Sequence, residues 1–255
     1  MISIALEDFG EMSKKDKQAV KKVMQMTAEQ KAQFLKEREE KLIKESLQTL
    51  EENKNKALWR MSIWSGKQEI IFKFSDWDIE KQANKSVAKA VAKQALSLAD
   101  ELKENNFNVT IFGDAGTGKT SLALAMLSRL RKAKKSAMVV STAELSSMLA
   151  ESFDEQAIKK KLTNLEKALK EVDVLLLDDF GTEGGIDCRA VRKDLQDYLY
   201  KVVNARAGVK TTIVTTNNGR DELEKMYHTK ILSRLLTKDD NHKIVMKGLE
   251  DVRSV

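Results

Sequence analysis

One stretch decides the fold: Gly113-Asp-Ala-Gly-Thr-Gly118-Lys119-Thr120. It matches the pattern G-x-x-x-x-G-K-[ST] of a phosphate-binding loop without deviation. The apolar, β-branched residues 108–112 before it predict a buried strand, and residues 120–131 after it predict a helix. Backbone N–H groups in such a turn, together with the helix N-terminus, attract phosphate oxygens. A plain glycine turn is the alternative, but it needs neither the lysine nor the adjacent threonine.

The pattern assigns roles to the loop. We expect Lys119 to reach the β- and γ-phosphates of ATP and the Thr120 hydroxyl to ligate Mg²⁺. The expected cofactors are therefore ATP and Mg²⁺. The candidate ATP-binding residues are Gly113, Asp114, Ala115, Gly116, Thr117, Gly118, Lys119, Thr120 and Ser121.

Two adjacent carboxylates, Asp178 and Asp179, follow the four apolar residues 174–177. The carboxyl end of a buried parallel strand is where an open α/β sheet places its ligand groups. We expect Asp178 to hold Mg²⁺ and Asp179 to polarise an attacking water. A solvated turn is the alternative, because residues 179–181 have some turn character. Asp is shorter than the Glu that many such ATPases use, so we expect slow hydrolysis.

Composition limits the class of protein. The 255 residues have room for a core of about 150 residues plus a smaller piece. A single cysteine, Cys188, excludes a disulfide framework and a cysteine-based zinc site, and it fits a reducing cytosol. We see neither an apolar run of membrane length nor a secretory signal, and expect a cytoplasmic protein with no membrane partner. The net charge of +6 favours an anionic partner without naming one.

The expected fold is α/β, because apolar strand-like runs alternate with helical patterns downstream of residue 81. Upstream, Ser13 and Thr27 open helix-start signatures, and Thr27-Ala-Glu-Gln30 is a capping box. We expect a helical N-terminal domain over 1–60, an aromatic-rich linker over 61–80 and a nucleotide-binding domain over 81–255.

Two features outside the nucleotide-binding domain each allow more than one interpretation. The second helix carries a thin apolar stripe, formed by Phe34, Leu35, Leu42, Ile43, Leu47 and Leu50. This stripe either packs on the rest of the chain or docks another protein. The second feature is the cluster of three tryptophans, Trp59, Trp64 and Trp77. We expect these side chains to pack within the protein, and a partner interface or an adenine contact is the alternative.

Over residues 70–255 the chain resembles the AAA+ ATPases, within them the bacterial replicative helicase loaders of the DnaC/DnaI kind. IstB-type transposition helper ATPases are similar over the same span. The matching stretches are Phe112-Gly-Asp-Ala-Gly-Thr-Gly-Lys-Thr, Leu175-Leu-Leu-Asp-Asp-Phe-Gly-Thr-Glu, Thr215-Thr-Asn217 and Lys230-Ile-Leu-Ser-Arg234-Leu-Leu. The resemblance implies a five-stranded parallel AAA+ core flanked by helices, without a large helical lid, plus a small N-terminal all-helical domain.

The resemblance also implies roles for three residues. Asn217 is similar to the sensor that orients the attacking water, since its amide both donates and accepts hydrogen bonds. Arg234 is similar to the arginine finger that completes the site of a neighbouring subunit, although a plain helix-surface arginine is the alternative. Arg253 occupies the position of a terminal arginine that senses the nucleotide in cis.

A helical insert over 143–169 resembles the segment with which such loaders touch single-stranded DNA. Phe153 is placed for stacking on a base, and Lys159, Lys160 and Lys161 for contacts with phosphates. A core phenylalanine and a solvated charge run are the alternatives. The chain lacks the cysteines of the family's zinc-binding N-terminal domains, so we expect no zinc.

The expected function is an ATPase that loads a hexameric replicative helicase onto single-stranded DNA. Its N-terminal helices would grip the helicase, and copies of the chain would assemble into a spiral or ring. The alternatives are an IstB-like transposition helper on duplex DNA and a nucleotide-gated adaptor with negligible hydrolysis. A small-molecule kinase explains neither the N-terminal helices nor Arg234.

Overall fold

The computed structural model describes residues 13–252, and its contacts divide the chain into two compact units, residues 1–53 and 54–255. Helix α1 spans Lys14–Met24 and helix α2 spans Ala28–Arg60. The division therefore falls within α2, earlier than residue 60. The predicted domain and linker boundaries stay predictions.

The capping box at the start of α2 is confirmed. The backbone N–H of Gln30 donates to Thr27 Oγ1 at 3.2 Å, and the N–H of Thr27 donates to Gln30 Oε1 at 2.9 Å. Further along α2, five of the six predicted stripe residues are 53–65% exposed, whereas Phe34 is half-buried. The members of this exposed set are Leu35, Leu42, Ile43, Leu47 and Leu50.

The second unit contains the predicted five-stranded parallel sheet. Its strands are β1 (Val109–Phe112), β2 (Ala137–Ser141), β3 (Val174–Asp178), β4 (Thr211–Thr216) and β5 (Lys243–Val245). Their order is β2-β3-β4-β1-β5, and every pair is parallel. This order makes β3 and β1 the two neighbours of β4, so the residues after all three strands meet at one edge.

Helices cover both faces of the sheet. They are α3 (Lys85–Glu101), α4 (Lys119–Lys132), α5 (Thr142–Glu151), α6 (Gln156–Glu171), α7 (Lys193–Arg206), α8 (Arg220–Met226) and α9 (Thr229–Leu235). Alternate residues of β3 enter different cores, because successive strand side chains point to opposite faces. Leu175 and Leu177 pack with α5–α9, whereas Val174 and Leu176 pack with α3 and α4.

Two of the three tryptophans serve packing. The Trp59 and Trp64 rings meet edge to face at 5.3 Å, and the Arg131 guanidinium lies 3.7 Å from the Trp59 ring centroid. Trp59 Nε1 donates to Glu69 Oε1 at 2.7 Å, so its polar atom is satisfied. The third, Trp77, lies at the phosphate loop.

Candidate nucleotide-binding site

The phosphate loop connects β1 to α4 and depends on glycine at two positions. Gly116 and Gly118 have φ angles of +76° and +92°, in the left-handed region that disfavours other residues. A Cβ at Gly118 would lie 3.0 Å from the Trp77 ring, and one at Gly116 would lie 1.9 Å from the Asp251 carboxylate. Both positions therefore favour glycine for its backbone conformation, and the Trp77 ring in addition leaves little room for a Cβ at Gly118.

Lys119 opens α4 with its ammonium group turned into the loop. The side chain is only 4% exposed, and Nζ donates to the Asp114 carbonyl oxygen at 2.7 Å. The Thr117 hydroxyl donates to the same carbonyl at 2.9 Å. The loop thus folds around a buried positive charge, which suits an anionic ligand.

Asp178 is the buried carboxylate of the site, 5% exposed at the end of β3. Its Oδ1 accepts hydrogen bonds from the Thr120 hydroxyl at 2.8 Å and from the Thr215 hydroxyl at 2.7 Å. Burial first, and then the neighbouring Asp179 charge, raises the pKa of the Asp178 carboxyl above its ordinary value. A bound cation would offset that cost, and one carboxylate beside a threonine hydroxyl is an oxygen donor set that suits Mg²⁺.

Asp179 and Asn217 line one cavity with the loop. This cavity has a volume of about 230 Å³, and its walls include Lys119 and Thr120. Its other lining residues are Ala115, Gly116, Gly118, Ser121 and Val252. Asp179 has a φ of +54°, and its backbone N–H donates to Thr215 Oγ1 at 2.9 Å. The structure therefore brings together the side chains from β3, β4 and the loop, as their positions after neighbouring strands predict.

A second cavity of about 250 Å³ shares Gly118, Ser121 and Val252 with the first. Phe72 and Trp77 supply its aromatic wall. Trp77 Nε1 donates to the Ala88 carbonyl at 3.2 Å, which fixes the ring against α3. The remaining lining residues are Asp76, Asp78, Lys81, Gln82 and Thr117.

A C-terminal strap, defined as residues 246–252, brings Val252 to both cavities. The strap begins where the Met246 N–H donates to the Phe112 carbonyl at 2.8 Å, and the Val252 N–H donates to the Gly116 carbonyl at 3.2 Å. Between them, the buried Gln82 amide bonds both backbone groups of Glu250, at 3.0 and 2.8 Å. Sequence reasoning missed this strap. Arg253 lies outside the described residues, and its role stays a prediction.

Arg234 lies apart from these cavities and lines neither of them. It is the basic residue in the last turn of α9, and its side chain contacts Asn204 and Tyr200 of α7. The structure therefore leaves Arg234 outside its own chain's nucleotide site.

The predicted DNA-contacting residues lie where α5 turns into α6. Phe153 is 75% exposed, so it is not a core phenylalanine, and it lines a cavity of about 230 Å³ with Lys159. Lys160 and Lys161 follow on the exposed surface of α6. Their contacts with nucleic acid stay predictions.

The strand order and the site define the class: this is a P-loop protein of the AAA+ type. The chain belongs to the family of IstB-like ATP binding proteins, whose sequence model matches residues 14–248. Among residues 13–252 we find no helix with the length and apolar character needed to cross a bilayer.

Two curated relatives match part of the chain. The uncharacterized protein YdaV of Escherichia coli (strain K12) is 29% identical over 163 residues, 64% of this chain and 60% of YdaV. The replicative helicase loader DnaC of Buchnera aphidicola subsp. Schizaphis graminum is 32% identical over 136 residues, 52% of this chain and 53% of that protein. The chain thus spans between half and two thirds of the length of these relatives.

Solved structures show the same fold. The crystal structure of DnaI has a TM-score of 0.53 and 23% identity, and the match covers 68% of this chain and 90% of that one. The structure of the replication initiator DnaA bound to AMPPCP and single-stranded DNA has a TM-score of 0.50 and 18% identity. This match covers 68% of this chain and 49% of that one. At these identities the likeness concerns the fold alone.

Proposed function

We propose that this chain is a cytoplasmic ATPase that binds a hexameric replicative helicase and places it on single-stranded DNA during replication initiation. The proposal that the chain binds and hydrolyses ATP rests on one observation: Asp178 Oδ1 accepts hydrogen bonds from both the Thr120 and the Thr215 hydroxyls. The loading part is supported by the similarity to replicative helicase loaders. The match covers only part of those proteins, so the partners are proposals.

The two cavities together fit one nucleoside triphosphate. The loop amides and Lys119 bind the phosphates, and the aromatic wall of Phe72 and Trp77 receives the base. Thr120 and Asp178 would hold Mg²⁺, which neutralises charge on the phosphate oxygens when bound.

Hydrolysis needs a water positioned against the γ-phosphate. Asp179 and Asn217 line the phosphate cavity from neighbouring strands, so Asp179 accepts the proton and Asn217 orients the water. The short Asp179 side chain keeps turnover slow. Arg234 lines neither cavity of its own chain, which supports the proposal that it acts on the nucleotide of a neighbouring copy in a spiral or ring.

The exposed stripe of α2 supplies the helicase-binding surface. Five large apolar side chains on one helix, each more than half exposed, are costly in water and typical of a helix that docks a partner. On the second unit, Phe153 stacks on single-stranded bases, and the lysines of α6 contact phosphates.

A second candidate function is a transposition helper, and the description of the family as IstB-like favours it. Such a protein would assemble on duplex DNA and recruit a transposase. The two functions share the nucleotide site and differ in the partner.

Purified components separate the two functions. We expect the full chain with ATP to co-elute with the replicative helicase of the same source, and Ile43→Glu with Leu47→Glu to abolish the complex. Lys41→Glu, which makes the same total change in charge at an exposed position with no stripe residue three or four positions away, should leave the complex intact. If the chain instead binds a transposase on duplex DNA and forms no complex with the helicase, the helicase-loader function is wrong and the transposition-helper function is supported.

A further inference from the structure

Two residues of α7 hold the Arg234 guanidinium. Arg234 Nε donates to Asn204 Oδ1 at 2.9 Å, and the guanidinium carbon lies 5.5 Å from the centroid of the Tyr200 ring. A third contact comes from α9 itself, where Nη1 donates to the Lys230 carbonyl at 2.9 Å. The guanidinium is therefore held by hydrogen bonds at Nε and at Nη1, and the Tyr200 ring lies against one of its faces.

These contacts leave one nitrogen for another molecule. Among residues 13–252, Nη2 of Arg234 has no hydrogen-bond partner, whereas Nε and Nη1 both have one. Arg234 is half-buried, but its hydrogen bond to Asn204 is exposed, and Tyr200 beside it is 36% exposed and lines an open groove with Lys230. A guanidinium anchored in this way presents its remaining N–H groups in a fixed direction.

We propose that Asn204 and Tyr200 are positioning residues, which orient Arg234 so that Nη2 meets the γ-phosphate held by a second copy of this chain. This inference rests on the proposed function, since it needs an assembly in which Arg234 acts between copies. A flexible arginine loses rotamer freedom when it binds, and prior anchoring removes that cost from the transition state. Neither Asn204 nor Tyr200 touches the reacting atoms.

The test uses mixtures of two full-length variants. Donor subunits carry Asp178→Asn with Asp179→Asn, so they offer Arg234 but lack a hydrolytic site. Acceptor subunits carry Arg234→Ala and keep their own site. Neither alone should hydrolyse ATP, and the mixture should recover turnover because donor arginines complete acceptor sites.

The expected result is an asymmetry between the two sides. Asn204→Leu in the donor should lower the recovered kcat about tenfold or more, with the KM for ATP unchanged. The same change in the acceptor should have no effect. Tyr200→Leu should behave like Asn204→Leu, whereas Tyr200→Phe retains the ring and should rescue fully. Lys201→Ala, an exposed change on the same helix, is the control for α7.

Three outcomes would overturn the inference. If donors with Asn204→Leu rescue as well as the parent donor, Arg234 acts between copies but needs no positioning, and only this inference fails. If Asn204→Leu weakens both sides equally, its role is structural. If the parent mixture recovers nothing, the intersubunit role of Arg234 fails, and this inference fails with it.

Discussion

The hydroxyl of Thr120 donates a 2.8 Å hydrogen bond to Oδ1 of Asp178, which joins the first residues of α4 to the end of β3. The two residues are 58 positions apart, and their oxygens meet beside the phosphate loop. This contact places the two proposed magnesium ligands, one hydroxyl and one carboxylate oxygen, side by side at the carboxyl end of β3.

Replacing Asp178 by Asn should separate stability from activity. The buried carboxylate is penalised by burial and by Asp179, and Asn keeps the oxygen that accepts from Thr120 and Thr215. Without nucleotide or metal, Asp178→Asn should raise Tm by about 2–4 °C, the shift that 1 kcal/mol produces in a domain of this size. Magnesium-dependent ATP hydrolysis should be lost. A lower Tm measured by calorimetry would contradict the electrostatic account.

Tryptophan fluorescence should report nucleotide binding through Trp77 alone. The Trp77 ring lines the second cavity and lies against Gly118, whereas Trp64 packs against Trp59. ATP should change the emission of the parent protein and of Trp64→Phe, but not of Trp77→Phe. Trp77→Ala should weaken ATP binding about tenfold and leave inorganic tripolyphosphate binding unchanged, because stacking on a base is worth about 1 kcal/mol or more. Equal losses for both ligands would remove the base-stacking role.

Loss of the Gln82 amide should release the C-terminal strap. Gln82→Leu leaves both backbone groups of Glu250 without their protein partner, at a cost of about 1–3 kcal/mol. We expect a lower Tm and weaker ATP binding, because Val252 is no longer held between the cavities. Gln94→Leu is the matched control, since Gln94 donates to the Lys243 carbonyl away from the strap. The control should lower Tm only, and identical ATP affinities for the two variants would count against a role of the strap.

Phe153 should contribute to the binding of single-stranded DNA but not to the stability of the folded protein. Because the ring is 75% exposed, Phe153→Ala should leave Tm unchanged while weakening binding of a fluorescent oligonucleotide by about 1–3 kcal/mol. Ile186→Ala, a change at an apolar side chain that is fully exposed, should change neither quantity. Unaltered affinity in Phe153→Ala would remove this residue from the DNA interface.

Local patterns account for most of what the sequence predicted. The five strands, the phosphate loop and the strand-end carboxylates are set by residues close together in the chain, so their composition and spacing are visible. The neighbouring positions of Asp178 and Asn217 follow from parallel strands that end at one edge.

Contacts between distant segments were not predictable from the sequence. Gln82 and Glu250 are 168 positions apart, and a glutamine that holds a strap looks like any surface glutamine. In the same way, nothing in the sequence pairs Arg234 with Asn204, because both lie on polar positions of separate helices. The one available signal was Trp77, whose place in an aromatic cluster left an adenine contact open.

The most direct test is a crystal structure of the full chain with Mg²⁺ and a non-hydrolysable ATP analogue. We expect the triphosphate inside the loop at residues 113–120, the metal bound between Thr120 and Asp178, and the base against Trp77. A triphosphate outside this loop, or a metal away from Asp178, would contradict the account.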